Sequence, residues 1–310
     1  MTIRHGARRV VAALTTFVAM AACSRPSVPL PTLDAGAERD TTNLVARGEY
    51  LVRDAAVCGH CHSAQRGNAD GLLAGGMEFS DWRIGTARAS NLTPDSATGL
   101  GAWSDAEIVR AIRNGVHRDG RLLAPVMPYE WLSGMSDRDA YAVARYLQRQ
   151  RPVRNDVRQS HNLVFGIGKL LFLRPSESET HTAPPRGPTA AYGEYLALHV
   201  SLCADCHTPR TGLLSTPDRT RLFAGSAKPP KGFPANPANL TPDSATGIGR
   251  WSEADFVRTI RTAVNPAGDT LHPFMPREYR RMTDDDLRAI YRYLRTVPPI
   301  ENQVPRRTGS

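Results

Sequence analysis

The chain has 310 residues, room for two domains of roughly 100–150 residues each. Its 25 glycines and 24 prolines exclude a regular helical bundle and favour short elements joined by shaped loops. The formal net charge of +9 comes without a lysine- or arginine-rich run, which argues against a nucleic-acid partner.

Residues 1–9 (MTIRHGARR) are basic and acid-free, and thirteen uncharged, mainly apolar residues follow from Val10 to Ala22. This layout predicts an export signal over residues 1–22, whose removal takes Arg4, Arg8 and Arg9 and lowers the charge to +6. The apolar run is shorter than the about 20 residues a transmembrane helix needs, so the mature chain is expected not to span a membrane. Met20-Ala21-Ala22-Cys23 resembles a bacterial lipoprotein cleavage box, with Met20 where leucine is usual. The resemblance implies acylation of Cys23 and a lipid anchor on the periplasmic side, and Ser24 points to the outer membrane. The stretch 24–40 is proline-rich, so a flexible spacer is expected over 23–42.

A first domain is expected over 43–152. A helix runs into Cys58-Gly59-His60-Cys61-His62, a CxxCH motif of the kind that attaches haem c. On a helical turn, cysteines three apart project from one side and can form two thioethers to the porphyrin, and the following histidine reaches the iron. Beyond it lies Asn91–Gly99 (NLTPDSATG), then Ser104 with Glu107 three residues on, a capping box that opens a helix, with Trp103 placed to staple onto Ile108. Pro125-Val126-Met127-Pro128 reads as a stiff loop, and Ser136 opens a last amphipathic helix carrying Tyr141, Val143, Tyr146 and Leu147. A linker is expected over 153–188, containing the apolar run Leu163–Leu173, which reads as interdomain packing in preference to membrane contact.

A second domain over 189–299 repeats the first, followed by a tail over 300–310. Cys203-Ala204-Asp205-Cys206-His207 lies 145 residues after the first motif, and Asn239–Gly247 repeats NLTPDSATG at an offset of 148. Trp251, Ser252 with Asp255, and Met275-Pro276 recur at that same offset. Two CxxC pairs could also form a four-cysteine zinc site or redox disulfides, but neither explains a histidine directly after both pairs, and the pairs lie far apart for a zinc ribbon. Each copy reads as three main helices and no stretch alternates clearly, so the expected fold is all-α: two tandem class I-like cytochrome c domains carrying two covalent haems.

The repeat narrows the sixth ligand of each iron. His117, Met77 and His60 align with Asn265, Ala227 and Asp205, and drop out. Met135 and Met282 precede the N-caps Ser136 and Thr283, where an apolar residue packs onto the first turn. Met127 and Met275 sit in proline-bounded loops that can hold a thioether against iron, and are the candidate ligands.

CxxCH, NLTPDSATGLGAWS, PVMPYEWL and MSDRDAYAVARYL together resemble the cytochrome c subunits of membrane-associated bacterial dehydrogenases that oxidise alcohols, gluconate or sorbitol. The resemblance covers about residues 43–299. It implies His62/Met127 and His207/Met275 as axial pairs, and electron flow from a separate dehydrogenase subunit toward quinone or an oxidase. Those subunits commonly have three haem domains, and this sequence has two motifs. The expected function is therefore non-enzymatic electron transfer to a downstream acceptor. A di-haem peroxidase is the alternative, opposed by the matching methionine loops in both copies.

Overall fold

The computed structural model describes residues 28, 30, 41–64, 72–82, 85–177, 181–212, 215–227 and 234–305. The predicted export signal and Cys23 lie outside the described residues.

Each copy opens with a helix, α1 (Thr41–Tyr50) in the first and α7 (Ala190–Tyr195) in the second. Both continue into one π-helical turn, Leu51–Ala55 and Leu196–Val200. The continuous helix expected to run into each haem motif is broken there. Val57 (φ 43°) and Leu202 (φ 54°) adopt the left-handed conformation, which is costly for a β-branched or bulky residue. The motifs then occupy separate short helices, α2 (Gly59–His62) and α8 (Cys203–His207).

The capped helices form as the sequence dictates. Ser104 and Ser252 each accept from the backbone N–H three residues on, and Glu107 and Asp255 answer to the N-cap N–H, opening α3 (Asp105–Asn114) and α9 (Glu253–Thr262). A short helix α4 (Tyr129–Leu132) follows the first methionine loop, and a 3₁₀ stretch, Arg277–Arg281, follows the second. The last helices, α5 (Asp137–Leu147) and α10 (Asp284–Leu294), are capped by Ser136 and Thr283. Met135 and Met282 are buried directly before these caps.

Within each copy the first and last helices cross against each other, α1 on α5 and α7 on α10. The crossings depend on Gly48 and Gly193: a Cβ there would lie 1.9 Å from the Ala142 carbonyl oxygen and 1.8 Å from that of Ala289. Buried in the first crossing, Arg47 donates to both carboxylate oxygens of Asp139, over 2.9 and 2.8 Å.

The all-α expectation is overturned by two small antiparallel sheets. Strands β1 (Glu78–Asp81) and β2 (Gly85–Arg88) form a hairpin, and β3 (Ser160–His161) adds to its edge with Gly85 opposite His161 and Thr86 opposite Ser160. In the second copy β4 (Arg210–Thr211) pairs with β5 (Thr216–Pro217). Strands of two to four residues are too short for side-chain alternation to stand out in a sequence. The segment after residue 152 lies along the first copy: the Val153 carbonyl accepts from Asn91, and the Gln159 amide bonds both backbone groups of Arg88. It then forms α6 (Leu163–Phe172), of which only Phe165 is buried. Within the apolar run Val164, Ile167, Phe172 and Leu173 border the cavity described below, which meets both copies. Among the described residues no helix is long and apolar enough to cross a membrane.

Candidate haem site

The two attachment motifs are held alike. His62 Nδ1 lies 2.8 Å from the Ser90 carbonyl oxygen, and His207 Nδ1 lies 2.7 Å from that of Ala238. A ring N–H donated to a carbonyl fixes the tautomer and leaves the lone pair on Nε2. Burial lowers the pKa of both rings, outweighing the carbonyl that favours the charged form, so both are neutral at pH 7. Each is a histidine prepared to ligate a metal through Nε2.

The repeated NLTPDSATG explains itself in this geometry. Ser90 and Ala238 immediately precede its asparagines. Asn91 Oδ1 accepts from the backbone N–H and the hydroxyl of Thr93, and its Nδ2 donates to Thr98 Oγ1 and the Val153 carbonyl. Asn239 makes the same four contacts with Thr241, Thr246 and the Ile300 carbonyl. Asp95 and Asp243 close the loop by accepting from the backbone and hydroxyl of Thr98 and Thr246, which holds both carboxyls below their ordinary pKa. The motif is a rigid clamp whose product is one aimed carbonyl. Sequence reading finds the repeat but not Ser90 or Ala238, because they act through backbone and share no side chain.

A cavity of about 1770 Å³ meets both copies. Cys203, Cys206, His207 and Met275 line it from the second, and Cys61 and Met127 from the first. The proline-bounded loops thus carry both candidate methionines to the space that the cysteines face. Met282 also touches this space, whereas Met135 does not line it. Burial pushes the Cys58 and Cys203 thiols up to about 12 and the Cys206 thiol further, so the unattached cysteines carry their protons at pH 7. In the second copy the paired thiols and the neutral histidine line this apolar void and fit haem c, whereas in the first Cys61 and Met127 line it and Cys58 and His62 do not.

The copies meet next to these sites, and reciprocally. The first π-helical turn packs on the 3₁₀ stretch of the second copy, and the second π-helical turn packs on α4 of the first. Trp131 donates through Nε1 to Asp205, inside the second haem motif, over 3.1 Å, and its carbonyl lies 2.7 Å from His199 Nδ1. At the equivalent position Tyr279 instead donates within its own copy, to the Ser201 carbonyl over 2.5 Å. Arg281 joins Asp54 across the same boundary over 2.6 Å.

Comparison with known proteins agrees with this site. Residues 43–147 match the family described as cytochrome c oxidase, cbb3-type, subunit III. A diheme cytochrome c-type protein of Cereibacter sphaeroides is 30% identical over 90% of this chain and 93% of its own. The chain is a c-type cytochrome. Further relatives are the cytochrome c subunit of the quinone alcohol dehydrogenase of Komagataeibacter europaeus and that of the gluconate 2-dehydrogenase of Pantoea cypripedii. They are 32% and 33% identical, over 83% and 82% of this chain. This cytochrome spans 56% and 59% of those two relatives. All three relatives are named as cytochromes c, and haem c is the group that the residues of this site fit.

Proposed function

We propose that the chain binds two haems c and relays electrons from a dehydrogenase subunit to a downstream acceptor on the periplasmic side. Cys58 and Cys61 hold one haem and Cys203 and Cys206 the other, with His62 and His207 as proximal ligands and Met127 and Met275 as distal ones. Haem iron supplies the one-electron couple, and histidine/methionine ligation raises its potential. The protein's part is orientation: Ser90 and Ala238 fix the imidazoles, the proline-bounded loops present the thioethers, and the apolar cavity keeps water from the metal. The observation that carries the reading is the matched pair of histidine–carbonyl hydrogen bonds, each built by the same nine-residue clamp. Acylation of Cys23 would tether the chain to a membrane, with Ser24 favouring the outer one.

A pyridine haemochrome assay together with haem-stained denaturing gels tests the stoichiometry. Two covalent haems per chain are expected, and a ratio of one, or acid-extractable haem, refutes the assignment. Met127→Ala or Met275→Ala should keep haem attached while abolishing that haem's methionine–iron absorption band and lowering its potential. Rapid peroxide turnover by half-reduced wild-type protein would refute the carrier function. For the tether, mass spectrometry of the mature N-terminus should find diacylated Cys23.

A further inference from the structure

The second variable residue of each haem motif reaches across to the other copy. In Cys58-Gly59-His60-Cys61-His62 it is His60, whose ring meets that of Phe274 edge to face, with centroids 5.2 Å apart and planes at 77°. In Cys203-Ala204-Asp205-Cys206-His207 it is Asp205, which accepts from Trp131 Nε1 over 3.1 Å. The place in the motif is the same and the chemistry differs, yet each partner matches: a ring meets a ring, and a carboxylate meets an N–H.

Both partners are tied to a methionine loop. The Met275 N–H donates to the His272 carbonyl over 3.0 Å, closing a tight turn with Pro273 at its second place and Phe274 at its third. A displacement of Phe274 is therefore passed to Met275. In the first copy the Met127 N–H closes the same turn on the Ala124 carbonyl over 3.0 Å, and Pro128, the N-cap of α4, accepts from the Trp131 N–H over 3.0 Å. The second copy grips Trp131 further, with His199 at its carbonyl and the Arg219 guanidinium 4.4 Å from its ring centre. The residues at the corresponding places do not duplicate these contacts. Tyr279, in the place of Trp131, donates within its own copy, and Val126 occupies the place of Phe274. The two loops are supported from across the boundary at different points.

We propose that each haem motif positions the distal methionine of the other copy, His60 acting through Phe274 on Met275 and Asp205 through Trp131 on Met127. The proposal rests on the assignment of those methionines as ligands under the proposed function, and adds that neither ligation is set by its own copy alone. His60 and Asp205 are positioning residues, each one residue before an attached cysteine and one contact away from the loop that serves the other iron. The sites are thereby joined mechanically, so that a change at one motif is felt as a change in methionine ligation at the other.

The test is proton NMR of the reduced holoprotein, in which each ligated methionine gives its own ring-shifted methyl resonance, assigned by Met127→Ala and Met275→Ala. His60→Ala, in the first motif, should move the Met275 resonance and keep that of Met127. Imidazole should then displace Met275 from the ferric iron at a concentration about two- to tenfold lower, the worth of one aromatic pair. His60→Phe keeps a ring and should restore both readings. Phe274→Val should reproduce His60→Ala, and the two together should add nothing further. Asp205→Ala should move the Met127 resonance in turn. Tyr50→Phe, which weakens the boundary between the copies elsewhere, should move neither. An unmoved resonance of the other copy in His60→Ala or Asp205→Ala, additive effects of His60→Ala and Phe274→Val, or movement in Tyr50→Phe overturns the proposal. A wild-type spectrum without the Met275 resonance refutes the ligand assignment itself, and the proposal with it.

Discussion

The phenol of Tyr50 in the first copy donates to the carboxylate of Asp286 in the second, and Tyr195 returns the contact to Asp139 over 2.8 Å. The two contacts are equivalent by the repeat but not equally supported. Asp139 also holds Arg47, whereas Tyr192 occupies the position in the second copy that corresponds to Arg47. Tyr50→Phe should therefore cost about 1.5–3 kcal/mol, the range for a hydrogen bond to a charged group, and Tyr195→Phe less. Urea unfolding of the holoproteins checks the order, and a larger loss for Tyr195→Phe contradicts it.

The Arg47–Asp139 pair makes stability depend on acid. Burial pushes the Asp139 carboxyl up, but the hydrogen bond and charge of Arg47 outweigh it and hold the pKa below its ordinary value. A depressed folded pKa contributes stability that is fully present above the unfolded value of about 3.9 and is lost as pH falls through the folded one. Wild-type protein should lose this contribution below about pH 4. Asp139→Asn should be less stable at pH 7 by about 3–5 kcal/mol, with Arg47 left buried and uncompensated, and should lack that part of the acid loss. Thermal unfolding across this pH range measures both.

Gly48→Ala and Gly193→Ala should each force a helix crossing apart, because the new methyl would overlap a carbonyl oxygen that cannot retreat without its helix. A loss of about 1–3 kcal/mol or more is expected for each, visible in unfolding midpoints. A neutral outcome at either would mean that α1 or α7 shifts freely, contrary to the buried packing around it.

Removal of Asn91 or Asn239 should act on one histidine each. Asn91→Ala frees the Thr93 N–H and leaves the Val153 carbonyl to the Thr93 hydroxyl alone, costs about 1–3 kcal/mol and loosens the Ser90 carbonyl behind His62. Redox titration should show one potential displaced and the other kept, with the roles exchanged in Asn239→Ala. Displacement of both potentials alike would assign the clamp a purely global role.

Met135→Ala and Met282→Ala should behave as core deletions. Both side chains are almost fully buried, so each should cost about 2–5 kcal/mol while both methionine–iron bands persist. Loss of a band in either variant would transfer the ligand role away from Met127 or Met275.

Much of this was legible in the sequence because it rests on side chains that recur. The cysteine pairs, their histidines, the capping boxes at Ser104 and Ser252 and the buried staples at Met135 and Met282 appear where pattern and spacing put them. What escaped is carried by backbone. The left-handed Val57 and Leu202 violate a local preference, and nothing in either residue announces it. The strands at residues 78–88 and 160–161 pair across 70 residues by main-chain bonds over stretches too short to show a period. The aimed carbonyls of Ser90 and Ala238 belong to residues with no chemistry in common. The place of α6 beside the cavity is likewise hidden, because sequence shows that a segment is apolar, not what it faces.

The reciprocal contact between the copies is that of an isologous dimer, in which each protomer offers the other the same surface. Here the protomers are joined end to end. Fusion removes the concentration dependence of such an association by giving each half a permanently high effective concentration of its counterpart. It also frees the two halves of one interface from having to remain identical. Arg47 against Tyr192, Trp131 against Tyr279 and His60 against Asp205 are the result. A self-complementary surface has become one whose two halves differ in their side chains.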